Sequence, residues 1–150
     1  MNETDIKKDA IGTMIGSPIE FRICGKDYKT QPPTFGKLQV MSKMLLDINF
    51  DEEKLKTDPY KESLRICIEK TDAVCRFIAV MILDSKEDIL DDEKIQQKAN
   101  EIKWGGNVLE LVPAVAKLIT QLDCANFTTT IALMQTLKLN NANEVAQAVG

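Results

Sequence analysis

Histidine is absent from all 150 residues, and that one absence excludes Ser-His-Asp and Cys-His nucleophilic catalysis, histidine-dependent zinc sites and histidine-based pH switching. Aromatic residues are scarce, with five Phe, two Tyr and one Trp, which leaves few of the stacking platforms that single-stranded nucleic acid requires. An excess of positive charge is lacking as well. Against 23 Asp and Glu stand 19 Lys and Arg, for a net charge of -4, the wrong sign for neutralising phosphates. No nucleic-acid partner is expected. No apolar run approaches the roughly 20 residues of a membrane span, and the charged opening Met1 to Ala10 lacks the order of a secretory signal. A cytoplasmic protein with no membrane partner is the expectation.

What is present describes one domain of ordinary size. A chain of this length buries roughly two-thirds of its unfolded surface, so a core can form without disulfides or metal staples. Cys24, Cys67, Cys75 and Cys124 are scattered without a Cys-x-x-Cys pair, and Cys67 and Cys75 sit among apolar neighbours, as reduced buried thiols do.

Residues 1 to 17 hold Gly12 and Gly16, are followed by Pro18, and show little apolar periodicity; they read as a mobile arm able to order on a partner. Strict alternation over Ile19-Glu20-Phe21-Arg22-Ile23, then Gly25-Lys26, then Asp27 to Thr30 predicts a β-hairpin within residues 18–31. Two strands do not stand alone in water, so their apolar face must lie on helices.

After Pro32-Pro33, Thr34 is placed to cap a helix from Phe35 to Ile48, and Asn49 to Lys56 reads as a charged loop. Asp58 and Pro59 open a helix predicted to continue to about Leu83, nearly all apolar in its second half and so the most buried element. A polar segment from Ser85 to Lys103 ends at Gly105-Gly106, and Asn107 caps a helix to about Leu122 with Pro113 inside it, which predicts a kink near Leu109. Further helices are expected from Asn126 to Lys138 and from Ala142 to Val149. The fold class is therefore mainly α: one domain over residues 18–150, with about five to six helices behind a short hairpin. Its core is expected at Phe77, Ile78, Val80, Ile82, Leu64 and Ile68, with Leu38 and Leu45 against them.

The search for chemistry returns little. Asp84, Glu87, Asp88, Asp91, Asp92 and Glu93 cluster, but Ile89-Leu90 interrupts them where a calcium loop needs oxygen ligands around a glycine, and carboxylates at helix starts suit the macrodipole without any ligand. Gly105-Gly106 matches neither phosphate-loop spacing and reads as a helix stop. Trp104 is expected to pack over the core. No residue is assigned a catalytic, cofactor-binding or metal-ligating role, and no cofactor is expected.

The informative feature is the helix from Phe35 to Ile48. At about 100° per residue its apolar side chains, Met41, Met44, Val40 and Leu45 among them, spread over about 240°, where one core contact needs little more than about 100°. Either this helix is sandwiched between hairpin and bundle, or the side carrying Val40, Met41 and Met44 meets another protein, a use that suits adaptable Met.

The run from Ile19 to Tyr28, followed by Gln31-Pro32-Pro33-Thr34-Phe35-Gly36-Lys37-Leu38, resembles the opening of tail assembly chaperones of long-tailed bacteriophages. The likeness is strongest over residues 18 to 48. It implies a non-enzymatic protein that binds the tape measure protein before and during tail-tube polymerisation, many copies along one tape, and is lost from the finished tail. Such coating by one surface on a different surface implies rings or open spirals of copies. The family has no invariant active residue to carry over. Another helical interaction module, such as a phage or mobile-element scaffold or a regulatory adaptor, stands as the alternative, and a small enzyme or ligand-binding domain as a third reading.

Overall fold

The computed structural model describes residues 18–122. The expected arm at residues 1–17, Cys124 and the two helices expected beyond Asn126 lie outside the described residues. Within them, a two-stranded antiparallel hairpin, β1 (Ile19–Ile23) and β2 (Lys26–Thr30), precedes seven helices. These are α1 (Phe35–Ile48), α2 (Glu52–Thr57), α3 (Pro59–Glu69), α4 (Thr71–Ile82), α5 (Lys86–Ile89), α6 (Asp92–Gly105) and α7 (Val108–Gln121). The mainly helical fold with an N-terminal hairpin is the one the periodicity predicts.

The alternation of β1 places Ile19, Phe21 and Ile23 in the core and leaves Glu20 and Arg22 exposed. Pairing of Ile23 with Lys26 puts the turn at Cys24-Gly25 rather than at Gly25-Lys26. Both turn residues have positive φ, 54° and 72°, the pattern of a type I′ turn, whose twist matches that of the strands. Phe21 faces Tyr28 across the ladder with stacked rings 5.6 Å apart.

α4 is the centre of the domain, as expected: Phe77, Ile78, Ala79, Val80 and Met81 are fully buried. It packs against α6, α1 and α3, while α7 lies against α3 and β1. The single helix expected from Pro59 to Leu83 is two. Lys70 leaves helical geometry at φ -126°, ψ 39°, and the Thr71 hydroxyl donates to the carbonyls of Cys67 and Ile68, satisfying acceptors at the end of α3. One consequence corrects the expected core. Ile68, on the last turn of α3, is 68% exposed, and Leu64, Ile82 and Leu38 are only half-buried, whereas Leu45 is fully buried.

Two further segments differ from expectation for the same local reason, a capping carboxylate. The loop expected over Asn49 to Lys56 contains α2, whose Lys54 N–H is capped by Asp51 and whose one apolar anchor is Leu55. The polar stretch from Ser85 to Lys103 is divided, because Asp91 accepts from the N–H groups of Glu93 and Lys94 and starts α6 afresh. α7 runs through Pro113; Leu109, whose carbonyl loses a partner to that proline, lies in the exposed first turn. No helix among the described residues is long and apolar enough to cross a membrane.

Candidate functional site

The surface of α1 singled out by its wide apolar arc is not free. Met41 is 1% and Met44 9% exposed, both within the hydrophobic core, and Val40 is half-buried against it. This corrects the assignment of Val40, Met41 and Met44 as a partner-binding face: that side of the apolar arc is consumed inside the domain, and only Phe35 at the helix start stands in solvent. Lys37, which interrupts the arc, is also buried. Its ammonium donates to the carbonyls of Met81 and Leu83, each at 2.9 Å, and so closes the C-terminus of α4. Burial pushes its pKa down, and Asp84 opposes that shift.

Most of the acidic cluster is engaged internally. Asp88 pairs with Lys94 at 2.6 Å, Asp92 with Arg76 at 2.6 Å, and Asp91 caps α6. Among the described residues no group of three or more Cys, Asp or Glu is placed to hold a metal ion. A cleft of about 650 Å³ lies between residues 49–54 and Arg65, and Arg65 is committed within the domain. The buried Glu62 carboxylate accepts from Arg65 Nε at 2.6 Å and Nη2 at 2.8 Å and from the Asp51 N–H, while Arg65 Nη1 reaches Glu69. The Arg65 guanidinium holds Glu62 below the usual carboxylate range, so this carboxylate stays ionised and ties α2 to α3. Desolvation raises the buried thiols, Cys67 to about 12 and Cys75 to about 11, keeping both protonated.

The distinctive surface is the corner where the hairpin tip meets the end of α6 and the start of α7. The Gly25 N–H donates to Glu110 Oε2 at 3.1 Å, and Cys24 Sγ approaches the Glu101 carbonyl at 3.7 Å. Gly105 and Gly106 lie against that thiol: a Cβ on Gly105 would touch Cys24 Sγ at 3.4 Å, whereas one on Gly106 would sit only 2.8 Å from the Ile102 carbonyl oxygen at the end of α6. Gly106 is thus required by the helix stop, and the pair forms a seat against the hairpin tip.

Beside this seat, apolar side chains point into solvent. Trp104 is 80%, Leu109 79% and Val108 52% exposed. The expectation that Trp104 packs over the core is therefore incorrect; its ring instead lies 5.4 Å from the Lys103 ammonium, which also pairs with Asp72. Asn107 caps α7, so Val108 and Leu109 fall in a first turn that the preceding glycines hold at the periphery. Sequence reasoning missed this site because Trp, Val and Leu at helix ends carry the same signal as core residues. The Asn cap directly before Val108-Leu109 was the available clue. Chemically the corner offers an apolar contact surface with a cation at its rim. Comparison with protein-family models, with curated proteins and with solved structures finds no match.

Proposed function

We propose that the protein is a non-enzymatic phage tail assembly chaperone-like protein that binds the tape measure protein during tail assembly. The observation that carries the reading is the exposed apolar corner of Trp104, Val108 and Leu109, since apolar side chains grouped within one short stretch and left in water suit contact with other macromolecules. Two features support it further: the hairpin leading through Pro32-Pro33-Thr34 into α1, and the resemblance over residues 18 to 48. On this reading the corner replaces the α1 methionines as the partner surface.

Co-expression with a tape-length reading frame, sought immediately downstream of the gene, tests the proposal. A tape-length, helix-rich partner should become soluble and co-elute with this chain, and Trp104→Asp with Leu109→Asp should return it to the insoluble fraction while the chaperone stays folded. A partner equally soluble without this chain, or one unaffected by both substitutions, would count against the reading and favour an adaptor for a folded protein.

A further inference from the structure

A two-residue turn fixes which backbone groups of the hairpin face outward. Ile23 and Lys26 close the turn as a hydrogen-bonded pair, so Phe21 with Tyr28 and Ile19 with Thr30 are also bonded pairs, while Glu20 and Arg22 direct their N–H and C=O groups away from β2. None of those four backbone groups has a hydrogen-bond partner among the described residues. On that open side lies a groove of about 300 Å³ between β1 and α7. Its floor is apolar, made by Phe21, Leu109, Pro113 and Ala114, with Glu110 at the hairpin-tip end and Lys117 on the same face of α7 two turns on. Lys117 is exposed and makes no ion pair among the described residues.

We propose that this groove binds an extended peptide segment by strand addition to β1. Glu20 and Arg22 supply the main-chain hydrogen bonds, and Leu109, Pro113 and Ala114 take the side chain of an apolar residue at an alternate position. Glu110 binds the Gly25 N–H at the tip, so α7 runs antiparallel to β1 with Lys117 toward the Glu20 end. A segment added antiparallel to β1 therefore ends beside Lys117, and the charge there selects an acidic residue at the C-terminal side of the segment. The occupant is thus an extended, apolar-alternating segment with an acidic end. The groove adjoins the Trp104 corner and shares Leu109 with it, but the main-chain groups of Glu20 and Arg22 belong to the strand edge alone, so the inference holds whether or not the tape measure protein is the partner.

The test uses the full chain, isotopically labelled, and the capped probe peptide Thr-Val-Thr-Val-Thr-Glu, followed by amide chemical shifts and hydrogen exchange. Saturable shifts at Glu20, Arg22 and Leu109 are expected, with a dissociation constant between about 10 μM and 1 mM, together with about tenfold slower exchange of the Glu20 and Arg22 amides. N-methylation of the probe at alternate residues, which removes its strand-pairing N–H groups, should abolish binding. Lys117→Glu, a change at an exposed position, should weaken binding of this probe and strengthen binding of the same peptide ending in Lys. Absence of saturable shifts at about 5 mM probe, shifts confined to other residues, or undiminished binding of the N-methylated peptide would each overturn the proposal. So would a Lys117→Glu protein that melts like the wild type yet shows no change in charge preference.

Discussion

Lys37 Nζ, one turn into α1, donates a 2.9 Å hydrogen bond to the carbonyl of Met81 near the end of α4. A buried cation from one helix thereby closes the terminus of another, and it accepts the cost of desolvation because helix-end carbonyls concentrate partial negative charge.

Removal of this ammonium should be costly. Lys37→Met leaves the carbonyls of Met81 and Leu83 without their donor, and the expected loss is about 1–3 kcal/mol by urea denaturation at neutral pH. The pH dependence has a definite sign. Burial lowers the folded-state pKa from 10.5, so the unfolded chain keeps this proton to higher pH than the folded chain. Between the two values the unfolded state binds more protons, and stability contributed by Lys37 rises with pH across the interval ending at 10.5. The wild-type advantage over Lys37→Met should therefore widen as pH is raised through that interval, and a constant difference would show that Lys37 titrates normally.

Glu62 makes the opposite prediction at acid pH. Its carboxyl is held below 4.5, first by the Arg65 hydrogen bonds, so its contribution is complete above that value and is lost as pH falls through the folded-state pKa. Glu62→Gln should flatten the acid limb of the stability curve. Glu62→Ala, which strands the Asp51 N–H and Arg65, should cost about 1–3 kcal/mol at neutral pH. Chemical denaturation from neutral pH to about pH 3 measures both.

Burial of the α1 methionines reverses what a charge there would do. Met41→Asp with Met44→Asp should abolish cooperative unfolding and near-ultraviolet circular dichroism, since an unpaired carboxylate in the core is not tolerated. Trp104→Asp should leave the melting temperature within a few degrees. A folded methionine double variant would return α1 to the solvent surface.

Phe77 is fully buried at the middle of α4, and Phe77→Ala should cost about 3–5 kcal/mol in chemical denaturation. Gly25→Ala tests the hairpin turn separately. At φ 72° an L side chain is strained, and a loss of about 1–2 kcal/mol is expected.

Periodicity and caps made the elements of the described region legible one by one. Alternation from Ile19 to Ile23 specified a strand with one buried face, and the spacing around Phe77 specified the central helix, because each pattern admits only one side-chain geometry. The caps at Thr34, Asp58, Ser85 and Asn107 were equally readable, since a short polar side chain beside a helix start has a local partner. Breaks inside continuous apolar or polar stretches were not. Lys70 makes no side-chain cap and interrupts a pattern that sequence spacing alone would carry straight through, and the Asp91 cap, although local, stands in a run of acidic residues in which no single one is marked as the start.

Local periodicity and the need to bury apolar surface suffice for the class of the fold, the hairpin and the buried role of α4. Which apolar residues go inward was set by long-range packing. Met41 and Trp104 carry the same hydrophobic signal, yet one is buried and the other stands in water. The difference arises because α1 lies against α4, whereas Gly105-Gly106 turns the chain at the edge of the domain beside the hairpin tip. Burial is set by neighbours distant in the chain, and hydrophobicity at one position does not name them.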